Sequence, residues 1–210
     1  MSIPKKDRSQ TRGGGGQYFE ATPRAQSRPR SVLLAVRGLS LPLQTDSGVF
    51  SAERLDAGTR VLLAEAPPPP AQGELLDLGC GYGPIALALA SWAPKARVWA
   101  VDVNERALEL TRVNAERAGL NNVVVCRPEE VAADLRFAAI YSNPPIRVGK
   151  AALHEVLLSW LPRLDEGGGA YLVVQSHLGS DSLARWLAAE GFTVRRLASK
   201  NAYRVLEVRK

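Results

Sequence analysis

Asn143-Pro144-Pro145-Ile146 follows directly on the apolar run 137–142, and it combines residue types suited to holding an amine. A strand that ends in Asn-Pro-Pro places one amide side chain and one carbonyl at the lip of a sheet. Neither proline has a backbone N–H, so the corner presents acceptors where most loops present a mixture. An –NH2 group is the partner such a corner suits. About sixty residues upstream lies a second cluster, Asp77-Leu78-Gly79-Cys80-Gly81-Tyr82-Gly83. Glycines let backbone pass close to a ligand at the carboxyl edge of a sheet, where open α/β folds bind. Pro84 suits a first helical position, because its missing N–H would be unpaired there anyway. The next strand-like run ends at Asp102, 25 residues after Asp77, an acid able to accept both hydroxyls of a ribose.

The loop departs from the dinucleotide fingerprint. Its glycines are spaced Gly-x-Gly-x-Gly, with an acid two residues before the first. That acid repels a pyrophosphate and favours a cation such as an amino group. A ligand with an amino acid end and a ribose end fits, and S-adenosylmethionine is the candidate. A plain strand-to-helix turn would leave Asp77, Asp102 and Asn143 unexplained together. The acceptor corner supplies the other half of the chemistry. An exocyclic amine is a poor nucleophile because its lone pair is delocalised; hydrogen bonds from its two N–H groups to the Asn143 oxygen and the Pro144 carbonyl fix the nitrogen and favour a pyramidal geometry. No covalent nucleophile is visible, since neither Cys80 nor Cys126 has an activating base nearby in sequence.

The elements that must position these residues alternate. Strand-like runs at 75–78, 97–101, 123–126, 137–141 and 170–175 are interleaved with helix-like runs at 85–92, 105–118, 151–161 and 182–190. That alternation predicts a parallel, doubly wound sheet covered on both faces. Two closing β-rich runs, 192–197 and 203–208, predict a hairpin with one antiparallel strand. Ahead of the sheet, Arg37-Gly38 reads as a two-residue hairpin turn, and Asp56 as the N-cap of a short helix ended by Pro67–Pro70. The expected organisation is a Gly-rich basic tail over 1–16, disordered unless a partner orders it; a lead-in over 17–72; and the α/β domain over 73–210. Trp92, Trp99, Trp160 and Trp186 read as core residues. His154 shares a helical face with Lys150, and His177 is given no role.

At 210 residues the chain suits one domain plus a tail. No apolar run approaches the ~18–20 residues of a membrane span. No secretory h-region is visible, and two cysteines without metal-ligand spacing predict neither a disulfide framework nor a metal site. A reducing, cytoplasmic setting is the expectation. The net charge of +6 is wholly N-terminal: residues 1–37 hold eight cations and two anions, and the remainder is balanced at 19 of each. A basic arm on a neutral body suits a polyanion, above all nucleic acid, while a solubilising tail is the plainer reading.

Asp77–Gly83, Asp102 and Asn143–Ile146 together resemble the class I S-adenosylmethionine-dependent methyltransferases. Thr45–Arg54, Leu55–Thr59 and the continuation Arg147-Val148-Gly149-Lys150 sharpen the likeness. They are similar to the bacterial small-subunit (16S) ribosomal RNA guanine methyltransferases and to single-domain proteins with the same "methyltransferase small" domain, over about residues 17–209. The resemblance implies a Rossmann-like, mostly parallel seven-stranded sheet with a C-terminal antiparallel strand and an N-terminal β-hairpin extension. It implies that Asp77, Gly79, Cys80, Gly81, Tyr82, Gly83, Asp102 and Val103 bind S-adenosylmethionine. Glu129 would lie near the adenine edge, and Asp46, Ser47 and Phe50 would cover the methionine end. Asn143, Pro144, Pro145 and Ile146 would form the catalytic corner, with Asn143 also touching the cofactor. Arg147 and Lys150 would meet substrate, as would Tyr18 and Phe19, although these two aromatics equally suit pinning the arm to the domain.

The implied partner is RNA, in free small-subunit ribosomal RNA or an assembling subunit, with no membrane and no metal. DNA and protein-glutamine methyltransferases with this corner typically carry an aromatic fourth residue; Ile146 offers no aromatic stacking, which favours guanine in RNA. A same-fold enzyme acting on glutamine amide, adenine or a small molecule is one alternative. A non-catalytic RNA-binding or ribosome-assembly protein is the other.

Overall fold

The computed structural model describes residues 26–145 and 149–210. The expectations for the 1–16 tail and for Tyr18, Phe19, Ile146 and Arg147 lie outside these described residues. The lead-in opens with β1 (Arg30–Val36) and β2 (Leu39–Thr45), antiparallel across Arg37-Gly38. Both turn residues have positive φ, 46° and 77°, as a two-residue hairpin turn requires. Asp56 then caps α1 (Ala57–Glu65), its carboxylate accepting from Thr59 N at 2.9 Å. The prolines at 67–70 cannot continue the helix, and β3 (Gln72–Leu78) begins the main sheet.

From β3 onward the expected alternation holds: α2 (Pro84–Trp92), β4 (Lys95–Val101), α3 (Glu105–Arg117), β5 (Val123–Cys126), β6 (Phe137–Ser142), α4 (Lys150–Trp160), β7 (Leu164–Gln175), α5 (Ser180–Ala189), β8 (Thr193–Lys200) and β9 (Tyr203–Arg209). Among the described residues these strands form a seven-stranded sheet in the order β5-β4-β3-β6-β7-β9-β8. Strands β3 to β7 pair in parallel; β9 slots between β7 and β8 and runs antiparallel to both. The chain winds outward from β3 through β4 to β5 and from β6 to β7 in the opposite direction, so the crevice lies between the carboxyl ends of β3 and β6.

β7 differs most from its sequence expectation. β7 begins at Leu164, six residues before the expected 170. Asp165–Gly169 lies between the expected helix and the expected strand, yet Leu164 pairs with Phe137 and pairing resumes at Gly169 opposite Ala139, across a bulge. A Cβ on Gly168 would meet the Ala138, Asp165 and Phe137 carbonyl oxygens at 3.1, 3.1 and 3.2 Å. Glycine there lets the two backbones close, so the segment is strand rather than loop.

Two apolar cores flank the sheet. The first joins α1, α2, α3 and the β1–β2 hairpin, with Leu34, Leu43, Leu62, Leu75, Leu87 and Leu108 fully buried. The second lies under α4 and α5, around Ile140, Leu157, Leu172 and Leu187. The lead-in therefore contributes to the same core as the sheet. Polar contacts fix it there. Buried Asn114 of α3 accepts from Gln44 N at 2.6 Å and donates to Gln44 O at 2.8 Å and to Tyr82 O at 2.9 Å. Arg37 donates to the carbonyls of Ala64 and Ala66 at 2.6 and 2.7 Å, and its guanidinium lies over the Trp92 ring. Of the four tryptophans Trp160 is buried, and the other three are half-buried at the margins of the core. No helix among the described residues is long and apolar enough to cross a membrane.

Replacing Asn114 with Ala strands three backbone partners at once, the half-buried N–H and C=O of Gln44 and the buried carbonyl of Tyr82. The expected result is a loss of about 2–3 kcal/mol in urea unfolding, with faster amide exchange concentrated in β1 and β2. Uniform exchange across the molecule would contradict this docking role.

Candidate active site

The glycine loop is built by β3, α2 and the neighbouring strand. Gly79 N and Cys80 N both donate to Val101 O, at 2.8 and 3.0 Å, tying the loop to the end of β4. Thr111 of α3 donates to Gly81 O at 2.9 Å and lies 3.8 Å from the Cys80 sulfur. Gly79, Gly81 and Gly83 all have positive φ, at 79°, 57° and 92°. Their surroundings differ. A Cβ on Gly79 or Gly81 would meet nothing within 4 Å, whereas one on Gly83 would strike Leu87 Cδ1 at 2.7 Å and Thr111 Cγ2 at 2.9 Å. The first two glycines thus border open space, and the third lets α2 pack against α3.

Asp77 is fully buried at the end of β3. Gly83, the N-cap of α2, has no side chain to cap that helix, and Asp77 does so from the strand: Oδ2 accepts from Ala86 N at 2.8 Å. Oδ1 has no hydrogen-bond partner among the described residues. Burial, with the nearby Asp102 charge adding, pushes the Asp77 carboxyl up to about 8, against the opposing effect of the Ala86 N–H. A buried acid with one unpaired oxygen can receive a cationic amine.

Asp102, half-buried after β4, accepts from Gly81 N and Asn104 N, each at 2.9 Å. Burial raises its carboxyl and these hydrogen bonds oppose the rise. A carboxylate offers about four acceptor positions, so room for a diol hydroxyl remains. Val103 and Phe50 leave large apolar surfaces exposed, at 40% and 46%. Phe50 is brought to this edge because Asn104 donates to Gly48 O at 3.0 Å and Arg106 to Ser47 O at 2.6 Å. Asp46 is spent inside the loop: it accepts from Ser27, Arg28 N and Ser47 N, and these bonds hold its carboxyl low despite burial. Glu129 sits on the short 3-10 turn after β5, exposed, with its carboxylate on Arg127, which also reaches Glu105.

The acceptor corner stands beside the loop. Asp77 pairs in register with Tyr141, and Ser142 Oγ donates to Leu78 O at 2.7 Å, clamping the ends of β6 and β3 together. The next residue, Asn143, donates through Nδ2 to Asp56 Oδ1 at 2.7 Å and to Thr59 Oγ1 at 3.1 Å. An amide is planar and two-faced, so with the nitrogen held on α1 the oxygen turns away from it. Pro144 is buried, and Lys150 is exposed at the start of α4. His154 stacks on Trp186, with ring centroids 3.4 Å apart. Burial pushes the Cys80 thiol up and the Cys126 thiol to about 11, so neither is a ready nucleophile. Among the described residues no group of three or more His, Cys, Asp or Glu is placed to hold a metal.

The structure therefore brings Asp77, Gly79, Gly81, Asp102, Asn143 and Pro144 to one edge of the sheet. Sequence reasoning gave no role to Ser142 or Thr111; it placed Asp56 as a helix cap and, with Thr59, in a stretch that carries the family likeness, without linking either to Asn143. Asp56 and Asn143 are 87 residues apart, and nothing local marks their contact.

This sheet order and edge define a Rossmann-like methyltransferase fold. The profile described as the methyltransferase small domain matches residues 40–207, and the chain belongs to that family. An uncharacterized Bacillus subtilis (strain 168) protein, YbxB, is 34% identical over 92% of this chain and 98% of its own length. Ribosomal RNA small subunit methyltransferase C of Shewanella pealeana is 32% identical over 75% of this chain; the chain spans 46% of that relative's length. Among solved structures, a T. thermophilus 16S rRNA N2 guanine methyltransferase (RsmC), in complex with AdoMet and guanosine, superposes with a TM-score of 0.75 at 27% identity, covering 90% of this chain and 52% of that one.

Two experiments probe this edge. Gly81→Ala puts a methyl into open space at a φ that costs about 1–2 kcal/mol, so its main effect is a loss of S-adenosylmethionine affinity in calorimetry. Gly83→Ala meets two side chains and is expected to cost about 2–4 kcal/mol in thermal unfolding. The reverse pattern would contradict the assignment of open and packed faces. For Asp77, a folded-state carboxyl near 8 holds a proton that the unfolded chain, at 3.8, has already released. Its contribution to stability therefore falls as pH rises from about 4 to about 8. Asp77→Asn flattens that fall in the ligand-free protein, read as melting temperature between pH 5 and 8, while it weakens cofactor binding. Parallel pH profiles for the two proteins would refute the shifted carboxyl.

Proposed function

We propose that this chain transfers a methyl group from S-adenosylmethionine to the exocyclic N2 amine of a guanine in small-subunit ribosomal RNA. The observation that carries the reading is the Asn143 amide, anchored by its nitrogen on Asp56 and Thr59 so that its oxygen is left for a substrate donor, directly beside the glycine loop. S-adenosylmethionine supplies an electrophilic methyl on a sulfonium. Asp77 Oδ1 would receive its ammonium, Asp102 its ribose hydroxyls, and Gly79 and Gly81 would let backbone approach it; Val103 and Phe50 offer apolar cover. Glu129 at the adenine edge is the least supported of these roles, because Arg127 already holds its carboxylate.

On the acceptor side the chain's work is positioning. The Asn143 oxygen and the Pro144 carbonyl take the two N–H groups of the amine and hold its nitrogen at one place and angle. The proton lost on methylation is acidic once the new N–C bond has formed, so no strong base is required of the protein. Alignment of this kind supplies ~7–11 kcal/mol in favourable cases. A guanine in a helix must be splayed out or presented in a loop to reach the corner, at a cost of a few kcal/mol.

RNA as partner is supported by the excess charge of residues 1–37, and guanine by the relatives named above. Residues 1–16 are read as the RNA-facing arm, 17–72 as the lead-in that completes the cofactor edge, and 73–210 as the methyltransferase domain. Lys150 and Arg147 would meet substrate next to the corner, and Tyr18 and Phe19 from the arm.

Incubation with labelled S-adenosylmethionine and small-subunit ribosomal RNA, free or in subunits, is expected to yield N2-methylguanosine on digestion and to map to one nucleotide by mass. Asn143→Ala should keep most of its cofactor affinity yet lose about a hundredfold or more in rate. Label in N6-methyladenosine, in protein glutamine or in no RNA at all would overturn the guanine reading. Full activity of Asn143→Ala would overturn the corner.

A further inference from the structure

Resting on the reading of Asn143 as the amine-holding amide, we propose that Asp56 is the positioning residue that makes the corner an acceptor. Asp56 Oδ1 accepts from Thr59 N at 2.9 Å and from Asn143 Nδ2 at 2.7 Å. One oxygen atom therefore both starts α1 and sets the face of the amide 87 residues away. The second amide hydrogen goes to Thr59 Oγ1, which is buried on the same first turn.

The need for this device follows from the amide itself. The terminal torsion of an asparagine is broad and nearly two-fold, so an unrestrained Asn143 presents NH2 or C=O with comparable ease. A substrate amine has two N–H donors. An Asn143 turned by half a revolution would meet them with two more donors, and the corner would repel what it must hold. A carboxylate oxygen accepts hydrogen bonds and cannot donate, so Asp56 admits only the amide nitrogen.

The placement of Asp56 is enforced by packing from β9. Gly58 lets the Tyr203 ring press on the first turn of α1: a Cβ there would sit 2.7 Å from Tyr203 Cε1 and 2.9 Å from Asp56 Oδ1. Tyr203, at the start of β9, is itself held by Gln175 Nε2, which donates to its hydroxyl at 2.8 Å. On the cofactor side lies Tyr82, whose buried phenol is pushed up by desolvation and by the Asp56 charge. Its hydroxyl has no hydrogen-bond partner among the described residues, so it does not divert Asp56 from Asn143. The antiparallel end of the sheet and the first turn of α1 thus meet at one carboxylate.

A plain helix cap and a positioning residue predict different variants. Serine caps helices about as well as aspartate, but it is one atom shorter and leaves Asn143 on Thr59 Oγ1 alone, a hydroxyl that meets either face of the amide. Asparagine keeps a carbonyl Oδ1 that can accept from Thr59 N and Asn143 together. Asp56→Ser is expected to melt close to wild type and to bind S-adenosylmethionine unchanged, yet to lose about tenfold to a hundredfold in kcat. Asp56→Asn is expected to recover most of that loss. Equal kcat for Asp56→Ser and wild type, or equal losses in Asp56→Ser and Asp56→Asn, would overturn the proposal. A substrate-free readout separates its failure from that of the guanine assignment. The Asn143 side-chain NH2 signals in a 15N-labelled protein, assigned by their absence from Asn143→Ala, should exchange slowly in wild type and Asp56→Asn and fast in Asp56→Ser. If wild type methylates no RNA but this pattern holds, the substrate reading fails and the positioning role stands. If the three proteins exchange alike, the positioning role fails whatever the substrate.

Discussion

The parallel pairing of β3 with β6 is the constraint on which the rest of this molecule depends. It places the glycine loop and the Asn-Pro-Pro corner on adjacent strand ends, with Asp77 opposite Tyr141 and the Ser142 hydroxyl on the Leu78 carbonyl. Because the chain leaves β3 and β6 toward opposite edges of the sheet, their loops part and a crevice opens between them. This adjacency sets the distance between the glycine loop and the Asn-Pro-Pro corner before any side chain contributes.

Around the crevice, the polar groups that shape the ligand space are also structural. Asp77 caps α2 in place of the side chain that Gly83 lacks, Asp102 holds the loop through Gly81 N, and Asp56 caps α1 while gripping Asn143. Such double use ties loop geometry to site chemistry, since moving the backbone moves the acceptor. It also carries a cost. Burial, with Asp102 nearby, raises the carboxyl of Asp77, and either a proton or a cationic partner relieves that penalty.

The lead-in is part of this machinery rather than a decoration on it. Its hairpin enters the core beneath α2 and α3, Asn114 welds β2 to the glycine loop, and the 46–50 loop is held over the start of α3 by Asn104 and Arg106. α1 then delivers Asp56 and Thr59 to the far side of the crevice. The family profile likewise begins inside this segment, at residue 40.

Much of this was legible in the 210 residues. The glycine loop, the N-cap at Asp56, the hairpin turn at Arg37-Gly38 and the Asn-Pro-Pro corner are local signals: each depends on which φ a residue can adopt and which backbone donor it lacks, and neighbours in sequence suffice to state it. The alternation of apolar runs likewise specified a doubly wound sheet. Folding decided the remainder. The insertion of β9 between β7 and β8, the extension of β7 back to Leu164, the remote capping of α2 by Asp77 and the grip of Asp56 on Asn143 all join residues whose own neighbours carry no trace of the partner. Local preference and burial period are written residue by residue, whereas the facing of one amide across 87 residues exists only once two cores have closed on the sheet.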